Sequence, residues 1–205
     1  MDWVGGPMVI LAVSPHPDDV EIGCFGTLAR LSASEPVVIV VMTSGEVRGA
    51  AEDREQEALA SAKLINAKVE FLHHPDGTLV QNATTVGELR ALLTRLHAKR
   101  LFAPFGEDMH QDHTASYRIA VAAATDAEEI LLYETPSTVG FHPNVFYDVG
   151  STLSVKLAAL ALFKSQADRP YLDASLVEGQ ARYFALRLRR KGGAFEAFAL
   201  HRSVR

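Results

Sequence analysis

The amino-acid sequence predicts a single α/β domain, residues 1–205, with a mostly parallel Rossmann-like sheet, helices on both faces and a helical C-terminal part. Continuous apolar, β-branched runs alternate along the chain with segments that carry apolar residues at helical spacing. Polar clusters follow four of these runs, which is where sites form in folds of this class. The sequence contains no internal repeat, low-complexity tract or long linker that would divide it.

The apolar runs predict the strands. The clearest run is Pro36–Met42, in which Val37–Val41 are all β-branched, as suits a strand buried on both faces. The predicted parallel strands, in chain order, are Met8–Ser14, Pro36–Met42, Val69–His73, Leu101–Phe105 and Ile130–Glu134. Ala197–Leu200 is predicted as an edge strand. The short connections favour right-handed crossovers between parallel strands.

The segments between the strands predict the helices. In the first segment Ile22 and Leu28 lie at helical spacing, and Asp18 or Asp19 is available to cap the first turn. The predicted helices are Val20–Ser34, Ala51–Asn66, Thr85–Lys99 and Thr114–Ala127. The chain from Ser151 onward is predicted to be mostly helical.

The composition argues against several classes of protein. The net charge of −5 disfavours a nucleic-acid partner, because nucleic-acid binders usually carry an excess of basic residues. Apolar runs stay far below the ~18 residues that a membrane-spanning helix needs, and the first residues lack a signal-peptide pattern. With Cys24 as the only cysteine there is no disulfide framework, so a cytoplasmic location is expected.

The most informative stretch is Ser14–Asp19, which directly follows the first apolar run. Its two prolines stiffen the turn, so that one imidazole and two carboxylates are held in place. Imidazole and carboxylate are the ligands that Zn²⁺ prefers where sulfur is absent. Two adjacent carboxylates also allow one to bind a metal while the other moves protons.

A second cluster of ligand-type residues, Gly106–His113, follows the fourth predicted strand. His110 and His113 share a face on a helical turn, and Asp112 between them can accept a hydrogen bond from an imidazole N–H. A His-x-x-His pair alone is a weak signal. Two clusters that each follow a buried strand of one parallel sheet predict a shared metal site.

Other candidate residues are interpreted as structural. His73 and His74 are predicted to end a strand, and the Cys24 thiol is predicted to pack in the core rather than bind a metal.

The two motifs together, Pro15–Asp19 and His110-x-Asp112-His113, resemble the LmbE-like family of zinc-dependent deacetylases, also called the PIG-L family. That family includes the deacetylases of N-acetylglucosaminyl-phosphatidylinositol and of N-acetylglucosamine conjugates in mycothiol and bacillithiol synthesis. The resemblance extends along nearly the whole chain. Weaker landmarks are Ser44-Gly45-Glu46, Arg54-x-x-Glu57, Asp76-Gly77, Ser165-Gln166 and Glu196-Ala197-Phe198.

The resemblance implies one Zn²⁺ per chain, held by His16, Asp19 and His113. It implies that Asp18 is the general base for the attacking water. The substrate would then be a small N-acetylated amino sugar of the N-acetylglucosamine type, from which acetate is removed. Because relatives often form multimers, the resemblance also leaves a homo-oligomer open.

Four further roles are implied by position in the family pattern. His110 matches the histidine that polarises the carbonyl or stabilises the oxyanion, and Asp112 matches its neighbouring carboxylate. Arg54 and Asp76 match positions that contact the sugar or its substituents. Either Asp18 or His110 is able to protonate the leaving amine.

The sequence departs from the family pattern at two places. Phe25 occupies a position that is often glycine, so a bulky ring follows the first motif. Asp108 stands where some relatives carry a tyrosine, two residues before His110, so a tyrosine's help with the oxyanion is not expected.

Four other functions compete with deacetylation. An amidase that cleaves a larger acyl group would use the same metal machinery. A phosphoesterase would need a second metal and more carboxylate ligands than the sequence offers. A non-catalytic sugar-binding or metal-binding module would not need Asp18, which is present. A nicotinamide enzyme is disfavoured because the first strand is not followed by a Gly-x-Gly-x-x-Gly loop.

Overall fold

A computed structural model describes residues 8–204, so Met1–Pro7 and Arg205 of the predicted domain lie outside the described residues. The strands are β1 Val9–Ser14, β2 Val37–Thr43, β3 Lys68–His74, β4 Ala98–Pro104, β5 Glu129–Tyr133, β6 Val145–Asp148 and β7 Phe195–Ser203. The helices are α1 Asp19–Gly23, α2 Phe25–Leu31, α3 Ala51–Lys63, α4 Ala83–Leu96, α5 Gln111–Ala123, α6 Leu153–Leu160 and α7 Ala174–Arg187. Short 3-10 turns occupy Glu46–Arg48, Lys164–Gln166 and Pro170–Leu172.

The strands form one mixed sheet in the order β3-β2-β1-β4-β5-β7-β6. β1 to β5 are mutually parallel, whereas β7 runs antiparallel to both of its neighbours. This arrangement confirms the predicted mostly parallel α/β class. The predicted edge position of Ala197–Leu200 is wrong, because the short strand β6 pairs with the outer side of β7.

The sheet is covered by helices on both faces, as predicted. Alternate residues of β1 point to opposite sides, because side chains alternate along a strand. Leu11 packs in a core with Leu89 of α4 and Ile119 of α5. Ile10 packs in the opposite core, with Leu28 of α2 and Ala62 of α3. Because β1 is buried along its whole length, the loop that follows it starts from a rigid position.

The predicted helix Val20–Ser34 is wrong as a single element, since Cys24 leaves helical geometry between α1 and α2 with φ of −146°. A Cβ on Gly23 would lie 2.1 Å from the Tyr133 ring, so the chain passes too close to β5 for any other residue there. The Cys24 thiol is buried in the core, as predicted.

Glu196 of β7 explains why a second helix starts after Cys24. Its carboxylate accepts hydrogen bonds from the N–H groups of Gly26 (3.0 Å) and Thr27 (2.6 Å), which have no partner inside α2. The carboxylate also contacts the Lys156 ammonium at 2.7 Å, and this ammonium donates to the Ile22 carbonyl. One buried ion pair therefore joins α1, α2 and α6 to the sheet.

The C-terminal part is largely helical up to Arg187, as predicted. Within residues 8–204, no helix has both the length and the apolar character needed to cross a membrane.

Replacing Glu196 with alanine is expected to lower the free energy of unfolding by about 3–5 kcal/mol, because it leaves the buried Lys156 charge and two N–H groups unpaired. Chemical denaturation measures this change. Glu178→Ala is the control, since it removes an exposed ion pair with Arg182 worth less than about 0.5 kcal/mol. If Glu196→Ala lowers the free energy of unfolding no more than the control does, the stabilising role of this ion pair is contradicted.

Candidate metal and active site

The loop between β1 and α1 presents His16 and Asp19 to the same point. The backbone N–H of His16 donates to Asp19 Oδ2 at 2.9 Å, so the turn is closed by the carboxylate that its imidazole also faces. Ser14 supports the turn, because its hydroxyl donates to the His16 carbonyl at 2.6 Å and accepts from the Val20 N–H at 3.2 Å. The two side chains are therefore fixed relative to each other by the fold.

Three ligand-type atoms meet at this point: His16 Nδ1, Asp19 Oδ2 and His113 Nε2. Asp19 Oδ2 lies 3.1 Å from His16 Nδ1 and 3.3 Å from His113 Nε2. The two ring nitrogens are 3.3 Å apart. Metal–ligand bonds of about 2.0–2.1 Å at tetrahedral angles separate ligand atoms by about 3.3–3.4 Å. The residues therefore fit a metal such as Zn²⁺ in both donor type and spacing.

The far side of the His113 ring contacts the loops that follow β4 and β5. Its Nδ1 lies 3.2 Å from Asp108 Oδ2 and 3.1 Å from the Thr135 hydroxyl. Burial lowers the pKa of His113, but Asp19 and Asp108 outweigh burial and raise this pKa to about 9. The Asp108 carboxylate itself is anchored by the hydroxyls of Ser137 (2.6 Å) and Thr138 (3.0 Å). Asp108 thus orients the ring so that Nε2 faces Asp19.

The far side of the His16 ring contacts two further carboxylates. Its Nε2 lies 3.1 Å from Asp76 Oδ1 and 3.2 Å from Asp112 Oδ2. Asp112 also accepts from the backbone N–H groups of Gly77 (2.6 Å) and Leu79 (3.0 Å), so its position is set by the loop after β3. Burial lowers the pKa of His16, but hydrogen bonds with Asp112, Asp19 and Asp76 raise it well above its usual value.

Asp112 accepts from an imidazole as the spacing predicted, but that imidazole is His16 rather than the adjacent His110. The sequence did not indicate this pairing, since it depends on how the β1 and β4 loops meet. Asp76, expected at the sugar, also touches His16 in this structure and lines the cavity.

Asp18 lies next to the ligand-type residue Asp19 and has a strained backbone, at φ of 129° and ψ of −23°. Its Oδ2 lies 3.2 Å from Arg54 Nη2, is buried, and accepts no hydrogen bond from the residues that the structure describes. Burial raises the pKa of Asp18 to about 8, against the opposing effect of the Arg54 guanidinium. The Asp18 carboxyl thus borders the cavity, with the Arg54 guanidinium as the close neighbour of its Oδ2.

Arg54 reaches Asp18 from α3 and is itself buried. Its guanidinium donates to the carbonyls of Pro17 and Gly45, and it forms the ion pair with Asp18. Arg54 lines the same cavity, but these contacts engage its guanidinium with the protein. Its clearest effect is to hold the loops after β1 and β2 together around Asp18.

His110 caps the N-terminus of α5, and its ring packs against the rings of His16 and His113. Its Nδ1 accepts the Asp112 N–H at 3.2 Å, so the neutral ring carries its proton on Nε2. The ring stacks on His113 with centroids 4.7 Å apart and meets the His16 ring edge-on at 4.6 Å. Burial and the two neighbouring histidines lower the pKa of His110, which favours the neutral ring.

A second set of donor atoms, from His16, His110 and Asp112, also lies within 4.8 Å. The atoms of the first set lie 3.1–3.3 Å apart and all three of its residues are buried, whereas His110 is only partly buried, so the first set fits a metal better. His73 and His74 pair with Glu55 (3.2 Å) and Glu88 (2.8 Å) at the end of β3, in agreement with their structural interpretation.

The site forms the floor of a cavity of about 430 Å³, large enough for a small conjugate. Asp18, Asp19, His16, His110 and His113 all border it. Sequence reasoning missed the role of Asp108, although it precedes His110 in the same polar cluster. The hydroxyls of Thr135 and Ser137 were missed as well, because they carry no ligand-type pattern.

Fold and site together define an α/β protein with a His–Asp–His cluster, of a donor type and spacing that fit a metal, at the carboxyl edge of its sheet. Residues 11–124 match the sequence model of the family described as PIG-L: GlcNAc-PI de-N-acetylase. The Escherichia coli K12 protein YaiS, described as an uncharacterized deacetylase, is 34% identical over 167 residues, covering 76% of this chain and 90% of YaiS. The chain belongs to the PIG-L (LmbE-like) family, which confirms the resemblance.

The chain is also similar to a further deacetylase in sequence and to two solved structures in fold. The diacetylchitobiose deacetylase of Thermococcus kodakarensis is 26% identical over 185 residues, covering 77% of this chain and 69% of that protein. The crystal structure of the conserved protein TT1542 from Thermus thermophilus has a TM-score of 0.85 at 29% identity, covering 96% of each chain. GalB of Pseudomonas putida KT2440, a 4-carboxy-2-hydroxymuconate hydratase, has a TM-score of 0.84 at 18% identity, covering 97% of this chain and 98% of that chain. The fold therefore carries more than one reaction, and function has to be argued from the site.

His113→Ala is expected to reduce bound zinc from about one per chain to near zero at micromolar metal, because the set of three ligands is broken. Elemental analysis after desalting measures this stoichiometry. His142→Ala is the control, since His142 is exposed and lies outside the cavity. Undiminished zinc in His113→Ala would refute its assignment as a ligand.

Asp108→Asn is expected to weaken zinc binding by about 10–100-fold, because the His113 ring loses the carboxylate that orients it. Competition against a chelating dye measures the affinity. Asp126→Asn, at an exposed position, gives the baseline. Equal affinities in the two variants would remove the orienting role of Asp108.

Proposed function

We propose that this protein is a metal-dependent N-deacetylase that hydrolyses the acetamide of an N-acetylated amino sugar, of the N-acetylglucosamine type, in a small conjugate. The observation that carries the proposal is a triangle of ligand-type atoms beside the buried Asp18 carboxyl, in a member of the PIG-L family. One Zn²⁺ per chain is the proposed cofactor, held by His16, Asp19 and His113. Bound there, it would supply Lewis acidity toward the acyl carbonyl and the attacking water.

Asp18 is proposed as the general base. The Asp18 carboxyl borders the cavity, and its Oδ2 accepts no hydrogen bond from residues 8–204, so the carboxylate form has an acceptor for the proton of the attacking water. The water oxygen bonds to the acyl carbon as the proton moves to Asp18. Arg54 positions this carboxylate through its contact at 3.2 Å, a role that differs from the sugar contact implied by the resemblance.

His110 is proposed to stabilise the acyl oxygen as negative charge develops on it. The proton on Nε2 suits a donor, because Nδ1 is occupied by the Asp112 N–H. Cleavage of the C–N bond then releases acetate and the amine, which receives a proton from Asp18 or from His110. Asp112 supports both histidines: its carboxylate contacts His16 and its N–H orients His110.

Asp76 is proposed to contact the sugar, since it borders the cavity next to Gly77. An amidase for larger acyl groups shares the same machinery, and acyl-chain preference separates the two. The cytoplasmic location, the lack of a nucleic-acid partner and the homo-oligomer stay predictions.

The proposed function is tested by acetate release from N-acetylglucosamine conjugates with the zinc-loaded protein. Matched N-acetyl and N-hexanoyl glucosamine glycosides are compared in the same assay. Faster release of acetate supports the deacetylase, and faster release of hexanoate supports the amidase. Release of neither acid by a protein that retains its zinc would contradict both.

Asp18→Asn is expected to keep the metal and lower kcat by about 10²–10⁴-fold, because the amide cannot accept the proton of the attacking water. Acetate release and zinc content are measured on the same sample. Asp53→Asn, an exposed change of the same kind at the start of α3, serves as control. A near-native kcat in Asp18→Asn would exclude Asp18 as the base.

A further inference from the structure

We propose that the mouth of the cavity binds an anionic group, a carboxylate or a phosphate, through Arg48 and Arg169. This group would be carried by the substrate on the side away from the reacting amide. The inference rests on the proposed function, since it names the remainder of the same substrate.

Arg48 and Arg169 lie on one wall of the cavity. The side-chain amide of Gln166 donates to the Arg48 carbonyl at 2.5 Å, and the Arg169 N–H donates to the Gln166 carbonyl at 2.9 Å. Gln166 is only 2% exposed, so it links the two arginine backbones from a fixed position. Both arginines border the cavity.

Glu57 of α3 fixes the segment that carries Gln166. Its carboxylate accepts from the Ser165 N–H at 2.8 Å and from the Ser165 hydroxyl at 2.6 Å. This contact gives a physical reason for two of the weaker sequence landmarks, Arg54-x-x-Glu57 and Ser165-Gln166. The wall is thus built onto the same helix that positions Arg54, so its place relative to the cavity floor is set by the fold.

The charges of the two arginines are little compensated by carboxylates, in contrast to that of Arg54. Within residues 8–204 the exposed Arg48 guanidinium makes no hydrogen bond or ion pair. The nearest carboxylate to Arg169 is that of Asp168, at 3.9 Å and with a side chain that is 82% exposed. In a chain of net charge −5, two free guanidinium groups at one cavity mark a locally attractive site for an anion.

The distribution of charge across the cavity gives the substrate a direction. Three carboxylates, those of Asp18, Asp19 and Asp76, border the cavity near the histidines and would repel an anion. The free guanidinium groups border the wall formed by the 3-10 turns. Tyr171 lies on that wall too, and burial raises its pKa to about 12, so that its hydroxyl stays protonated and able to donate. A substrate with its acetamide at the histidines and its anionic group at the two arginines matches this distribution of charge.

The test uses three N-acetylglucosaminides that differ only beyond the sugar: the 1-phosphate, the carboxymethyl glycoside and the neutral carbamoylmethyl glycoside. The readout, at low ionic strength, is the kcat/KM of each anionic compound divided by the kcat/KM of the neutral carbamoylmethyl glycoside. We expect at least one ratio to be about tenfold or higher, and the larger ratio identifies the preferred anion. Ratios near one for both anions would overturn the inference.

Arg48→Gln and Arg169→Gln, singly and combined, remove the charges while keeping much of the side-chain volume. The ratio is expected to fall in each single variant and to approach one in the double variant, whereas Arg169→Lys retains part of it. Arg190→Gln is the control, because it makes the same change in net charge at an exposed position outside the cavity. An unchanged ratio in the double variant would overturn the inference.

Failure of the proposed function is distinguished by calorimetry. If none of the three compounds releases acetate, the proposed function fails. The Kd of each anionic compound is then compared with the Kd of the neutral carbamoylmethyl glycoside, in the wild type and in the double variant. Tighter binding of an anion that is lost in the double variant supports the anion site on its own, and equal Kd values overturn it.

Discussion

The geometry of the site depends on two imidazoles, each of which has one ring nitrogen in contact with buried carboxylates. His113 is oriented by Asp108, and His16 is oriented by Asp76 and Asp112. A histidine ring with one nitrogen fixed in this way can present the other nitrogen in only one direction. The separations of 3.1–3.3 Å among the three ligand-type atoms follow from these contacts.

The same contacts concentrate negative charge in a small volume. Asp19, Asp76, Asp108 and Asp112 all lie within about 3.3 Å of a histidine nitrogen. Burial alone would lower the pKa of His113, yet the carboxylates raise it. A divalent cation held there would compensate the same charge, and the imidazoles that bind it would be neutral. The second loop of the site reaches this centre only because β1 and β4 are adjacent and parallel.

The sequence predicted the two loops that carry these ligands because each follows an unmistakable buried strand. The contact between His113 and Asp108 was not predictable in the same way, since Asp108 is placed by hydroxyls from the loop after β5. The interruption of the helix at Cys24 depends on Glu196, which is distant in sequence, so no local pattern indicates it. Strand β6 escaped prediction because it is only four residues long. Local pattern thus predicted the loops on which the ligand-type residues lie, whereas the contacts that orient these residues are made between distant segments.

The central claim is that a metal binds among His16, Asp19 and His113. Anomalous diffraction at the zinc absorption edge, from crystals of the zinc-loaded protein, tests it directly. We predict one peak per chain at bonding distance from His16 Nδ1, Asp19 Oδ2 and His113 Nε2. A peak between His16, His110 and Asp112, or no peak in this cavity, would contradict the claim.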